Sequence, residues 1–165
     1  MVGKPVRRRA FWVVAAASAA LMVYLVFAVF GVHTLFYDEE TNEGFAADPA
    51  SGELAEISSG RFHAVAHPGA GRATVHRLGE GSYTLRLESL DVFNGPDLYV
   101  YAVAAGDATD DAAVTDSGFL DLGPLKGNRG NQTYELPESF DPDKHRAISI
   151  WCKRFSVNFA TAPLR

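Results

Sequence analysis

The sequence predicts an all-β domain, an antiparallel β-sandwich of jelly-roll-like form with about eight strands, preceded by one transmembrane helix. Three observations carry this. Residues 10–37 contain no Asp, Glu, Lys or Arg. From residue 60 onward, short β-like runs are separated by Gly, Pro and Asn turn signals, at the spacing of a sandwich or closed barrel. No longer run in that region repeats its apolar residues with helical periodicity.

The apolar segment comes first. A helix needs about 20 apolar residues to cross roughly 30 Å of hydrocarbon, and residues 11–36 exceed that with room for tilt. Lys4, Arg7, Arg8 and Arg9 precede the segment, whereas Asp38, Glu39 and Glu40 follow it. The positive-inside rule makes residues 1–10 a basic cytoplasmic tail and sends everything after Tyr37 outside. A cleaved signal peptide has an apolar core of about 7–15 residues. This run is much longer, and Val29-Phe30-Gly31 is a poor cleavage site. The segment therefore reads as the signal-anchor of a single-pass cell-membrane protein with an extracytoplasmic C-terminal domain.

Residues 37–59 read as an acidic stalk. From 38 to 59 there are seven acidic and no basic residues, with Gly44, Pro49 and Gly52 interrupting any period. Such a composition cannot offset its ordering entropy. Residues 38–165 carry a net charge of −9, the whole-chain −5 less the +4 of the tail. An acidic exterior repels phosphates, which argues against a nucleic-acid partner.

The folded part spans residues 60–165. The run 61–67 (RFHAVAH) stops at Pro68-Gly69, and 72–78 (RATVHRL) stops at Gly79-Glu80-Gly81. Residues 82–93 put Tyr83, Leu85 and Leu87 on one face with Arg86 and Glu88 opposite, and end at Asn94-Gly95-Pro96. The run 97–105 (DLYVYAVAA) is apolar on both faces, which marks a central, doubly covered strand. Residues 107–116 form an acidic, Ala-rich loop or short helix; 119–123, 132–136 and the C-terminal run complete the strands. In that last run Ile148, Ile150 and Cys152 share one parity while Phe155, Val157 and Phe159 share the other. Such a switch needs a bulge, a bend or a tight turn. Lys153 and Arg154 are not turn residues, which favours a bulge or sheet-switching bend over a two-residue hairpin.

The segments GPDLYVY (95–101), LGPLKGNRGNQTYELP (122–137) and IWCKRFSVNFATAPL (150–164), with GRFHAVAH (60–67) and GRATV (71–75) ahead of them, resemble the DM13 domain. The resemblance covers residues 60–164. It implies a β-rich extracytoplasmic module related to DOMON-type sandwiches and, in animals, associated with cell-surface redox proteins. It also implies electron transfer through a cysteine, acting as a bare thiol or as a ligand to a prosthetic group such as haem. Cys152 occupies that position.

Cys152 is the sole cysteine, so no internal disulfide can form. It reads either as a small buried hydrophobe or as a redox thiol or ligand beside Lys153 and Arg154, whose charges would favour thiolate. A lone thiol must work through sulfenic acid, a mixed disulfide with a partner, or a bound haem or metal. His63 and His67 would lie about 13 Å apart on a strand, too far to share an ion. His76 and His145 complete no ligand set, and no CxxCH motif is present, which excludes covalent c-type haem. The loop 125–133 lacks the Gly-Lys-Ser/Thr of a Walker A motif; its glycines and asparagines suit a turn. Asn131-Gln132-Thr133 is a glycosylation sequon. Asp97 fits a turn after Gly95-Pro96, and Asp107, Asp110, Asp111 and Asp116 match no EF-hand. No hydrolase or nucleotide-enzyme signature is present. Two readings remain, a redox module acting through Cys152 with a protein partner outside the membrane, and a non-catalytic binding or adhesion module in which the cysteine is structural.

Overall fold

The computed structural model describes residues 4–30, 38–44, 54–79 and 81–165, in two compact units, Met1–Tyr37 and Asp38–Arg165. In the first, helix α1 (Lys4–Phe30) begins inside the basic tail, so the boundary expected after residue 10 is not a helix boundary. Pro5 in the first turn removes no helical hydrogen bond, and no glycine interrupts the helix before Phe30. Its side chains are described for residues 11–26, with Phe11, Val13, Leu21, Met22 and Leu25 exposed. Among the described residues no helix is long and apolar enough to cross a membrane. The rest of the expected span, to Phe36, lies outside these described side chains.

The second unit is a sandwich of two five-stranded sheets. Numbered in chain order, its strands are β1 (Glu40–Asn42), β2 (Ala55–Arg61), β3 (His63–Ala64), β4 (Gly69–Arg77), β5 (Tyr83–Val92), β6 (Leu98–Val103), β7 (Phe119–Pro124), β8 (Arg129–Leu136), β9 (Ala147–Cys152) and β10 (Val157–Pro163), with helix α2 (Asp111–Ser117) after β6. One sheet has the order β1-β8-β5-β4-β2 and the other β3-β10-β9-β6-β7. All pairings are antiparallel except that of β1 with β8.

The inner faces meet in one core. Leu85 and Leu87 of β5, Val75 of β4, Val100 of β6 and Ile148 and Ile150 of β9 are all fully buried in it. β6 and β9 are covered on their outer faces as well, where Tyr101, Val103, Ala147 and Trp151 pack with Ala108 and Val114 of the loop and α2. The doubly apolar pattern of residues 97–105 thus has its cause in two layers of cover. α2 begins at Asp110, whose side chain accepts from the Ala113 N–H at 2.7 Å, an N-cap worth about 1 kcal/mol.

Three expectations need correction. First, parts of the expected acidic stalk are sheet. Residues 40–42 form β1 and residues 55–59 lie in β2, while residue 37 and residues 45–53 lie outside the described residues. Composition suggested a solvated chain, but here Asp38 and Glu43 have partners. Arg129 Nη1 lies 2.8 Å from Asp38, Lys126 Nζ lies 2.8 Å from Glu43, and the Thr133 N–H donates to Glu43 at 2.8 Å. Gly130, at φ +98°, lets β1 approach, since a Cβ there would collide with the Thr41 carbonyl. Second, the strand expected over 61–67 is split, β2 ending at Arg61 and β3 having two residues.

Third, β9 and β10 form a hairpin, with Val157 opposite Cys152 and residues 153–156 as its turn. Ser156 at φ +53° supplies the left-handed residue. Phe155 lies in this turn and is exposed, not on the apolar face. A bulge does exist, further on: Asn158 pairs with Trp151 and Ala160 with Ile150, leaving Phe159 extra.

Glu43 titrates below its ordinary 4.5, chiefly because Lys126 hydrogen-bonds its carboxylate. A depressed folded-state value means that the stabilisation is complete above 4.5 and fades as pH falls through the lower value. The Thr133 amide resonance should therefore titrate with a midpoint below 4.5, and β1 amides should lose exchange protection over the same range. Glu43→Gln should abolish both effects. A β1 equally protected at pH 3 and pH 7 would contradict this account.

Candidate functional site

Cys152 is the last residue of β9, opposite Leu98 of β6 on one side and Val157 of β10 on the other. Strand alternation turns its side chain inward with Ile148 and Ile150. It is a free cysteine, fully buried in the core that also holds Leu98, Ile150 and Phe159.

The chain segments that surround this end of the sandwich are distant in sequence. The loop 93–97 leads into β6, and the Asp97 carbonyl accepts from the Lys153 N–H at 3.0 Å. Gly95 leaves no room for a side chain, since a Cβ would lie 2.9 Å from the Phe159 ring and 3.0 Å from Leu98. His67 stacks on Phe93 at 5.0 Å between ring centroids and leans on Phe159 at 4.1 Å. The three sequence segments GPDLYVY, LGPLKGN and IWCKRF converge here, with the thiol behind them.

Lys153 and Arg154 are exposed, as expected for a sulfur packed against apolar neighbours. The Lys153 ammonium sits 2.6 Å from Asp121 and 3.6 Å from the Tyr99 ring centroid. Tyr99 is on the outer face of β6, opposite to the core-facing Leu98 and Val100. Its hydrogen bond to Asp121 raises the Lys153 pKa. The sulfur itself is fully buried among the core side chains. Tyr101 stacks on Phe119 at 4.2 Å and on Trp151 at 6.0 Å, so an aromatic row lines this outer face. Burial raises the Tyr101 pKa.

The four described histidines occupy four separate places. His63 Nε2 lies 3.1 Å from Asp107. His67 is the ring stacked above, and His76 lies on β4, its pKa lowered by burial. His145 is buried beside Phe140 and hydrogen-bonded with the Asp141 backbone. Among the described residues no group of three or more His, Cys, Asp or Glu could hold a metal ion. Cys152, enclosed by aliphatic and aromatic side chains with no second ligand beside it, does not fit a metal or haem iron.

Gln132 and Tyr134 hold the loop 125–128. The Lys126 N–H donates to Gln132 Oε1 at 3.0 Å, and Gln132 Nε2 donates to the Gly127 carbonyl at 2.8 Å. Tyr134, whose pKa burial raises, donates to Gln132 Oε1 at 2.7 Å. This is a loop clamped from within, not a phosphate cradle. Asn131 of the sequon donates to Asn42 and accepts from the Ser89 N–H. The acidic loop is likewise partitioned, with Asp107 on His63 and Asp110 at the α2 cap.

One polar cluster was not anticipated. Asn158, fully buried, accepts from Ser149 Oγ at 2.7 Å and donates to the Ala108 carbonyl at 2.8 Å. Its bulged N–H donates to Asp111 at 2.6 Å. The signal was available: Ser149 and Asn158 are polar residues inside apolar runs, which demand buried partners.

A two-sheet sandwich with one thiol closed behind a cluster of loops defines a β-sandwich module with a single candidate redox residue. The family model described as "Electron transfer DM13" matches residues 61–164, and the chain belongs to that family. No curated protein and no solved structure matches it.

If the thiol is chiefly a packing element, Cys152→Ala should leave the fold intact and cost about 1 kcal/mol or somewhat more. Equilibrium denaturation checks this; a loss beyond about 4 kcal/mol would show that the site cannot tolerate a small cavity.

Proposed function

We propose that the chain is a membrane-anchored, extracytoplasmic electron-transfer module whose working group is Cys152. The observation that carries this is the electron-transfer family match over residues 61–164, joined to a sequence with one redox-capable cysteine. The anchor rests on the uncharged residues 10–37 and their opposite flanking charges.

The chemistry open to a lone thiol is exchange. The Cys152 thiolate attacks a disulfide on a partner protein, the partner's S–S bond breaks, a mixed disulfide forms, and one partner sulfur leaves as thiolate. A thiol of a dithiol donor then attacks the Cys152 sulfur and releases the partner as a dithiol; the donor's second thiol attacks the new mixed disulfide, leaving the donor as a disulfide and Cys152 reduced, so two electrons pass from donor to partner. Because the sulfur is fully buried, each exchange needs a local opening of the β9–β10 turn, such as turns undergo below the free energy of global unfolding. That same burial favours a second reading, a binding or adhesion module in which Cys152 only packs.

The two readings separate on thiol reactivity. Under the first, a disulfide reagent should modify native Cys152 faster than global unfolding allows, and Cys152→Ser should abolish exchange while the fold persists. Modification that merely tracks global stability through a denaturant series would leave the packing reading. The anchoring is tested apart from this. External protease on intact cells should remove the domain, and alkaline carbonate should leave the chain in the membrane pellet. Release by carbonate, or protection of residues 60–165, would refute it.

A further inference from the structure

We propose that the Cys152 end of the sandwich docks onto a lipid surface, with Phe93 and Phe155 inserted at the headgroup boundary. The inference rests on the anchoring reading above and adds an orientation for the domain.

Phe93 and Phe155 are 51% and 58% exposed, the two most exposed large apolar side chains of the described sandwich. Both are at one end. Phe93 follows the last residue of β5, its N–H donating to the Pro68 carbonyl and its ring resting on His67. Phe155 is in the turn after Cys152, and that turn is tied to the 93–97 loop through Lys153 N–H and Asp97. Isolated exposed phenylalanines are ordinary; here two stand on adjoining loops at one tip.

The occupant follows from where the chain joins the domain. Asp38 comes directly after the uncharged residues 10–37 in sequence. Its carboxylate accepts from Asn128 Nδ2 at 2.8 Å and lies 2.8 Å from Arg129 Nη1, and the Glu39 N–H donates to Asn128 Oδ1 at 2.7 Å. Asn128 also binds the backbone of Val92, the residue before Phe93. The apolar segment of the sequence therefore joins the sandwich at the tip that carries the phenylalanines.

The charges there permit an apolar contact. Asp38 and Asp91 pair with Arg129, Glu43 with Lys126 and Asp121 with Lys153, while the Glu40 side chain accepts from Asn42. Glu39 and Asp97 stand beside these pairs, and Arg154 adjoins Phe155. No excess of cations marks the tip, so zwitterionic lipid suffices and aromatic insertion supplies the contact.

The test uses the full chain in phosphatidylcholine vesicles, in a Cys152→Ala background, with nitroxide labels on single cysteines. Phe93→Cys and Phe155→Cys report the tip, and Glu138→Cys and Asp143→Cys report the opposite end. Labels at 93 and 155 should collide more with oxygen and less with a water-soluble nickel chelate than those at 138 and 143. A label on Asp97→Cys, with both phenylalanines retained, should share this shift and lose it in F93S/F155S. Tip labels as accessible to the chelate as those at 138, in chain that floats with the vesicles, would overturn the docking and leave the anchor standing. Chain that fails to float would overturn the anchor, and the docking with it.

Discussion

The architecture depends on the double burial of β6 and β9. Two adjacent strands with apolar residues on both faces cannot form the wall of a two-layer sandwich whose outer surface meets water. The second sheet covers one face; residues 104–117 must cover the other, which is why this stretch folds back over Tyr101, Val103 and Trp151. That cover is itself held by polar bonds. Asn158 reaches up to the Ala108 carbonyl, and Asp111 reaches down to the Asn158 N–H that the β10 bulge has released from the ladder. The bulge and the cover are mutually required, since a buried N–H without an acceptor costs more than its bond returns.

The same burial sets the terms for the thiol. Cys152 ends β9 where inner-face packing is still complete, one residue before the chain turns into solvent. A sulfur at that point is inaccessible in the closed structure, yet separated from water by a four-residue turn and one loop contact. In the closed structure a reagent would reach it only through an opening of that turn. Lys153, which the sequence placed beside the thiol, has been drawn to the opposite face by Asp121 and Tyr99.

How much was legible follows from which rules apply locally. Periodicity read the strands from β4 to β8 because each has a turn signal at both ends and a residue pattern that matches its cover. It misread residues 38–44 because an acidic, low-hydrophobicity segment gives no sign that Arg129, Lys126 and Asn128, some ninety positions later, will pair with it. The parity switch after Cys152 was detected correctly, but its cause was misassigned. Lys153 and Arg154 are poor turn formers, and the sequence gives little notice that Ser156 will take the left-handed conformation that closes the hairpin. The family resemblance located Cys152 as the residue of interest. Its burial, and the separate surroundings of the four described histidines, could come only from the tertiary arrangement.

The parallel pairing of β1 with β8 carries a mechanical consequence. Tension drawn along the chain at Asp38 would pull β1 lengthwise against β8. The Arg129–Glu39 and Glu43–Asn131 backbone bonds, with the ion pairs at Asp38 and Glu43, would then be loaded together in shear, not peeled open in succession. Such a short strand acts as a strain relief, a clasp that takes up force at the rim of the sandwich before it reaches the strands around Cys152.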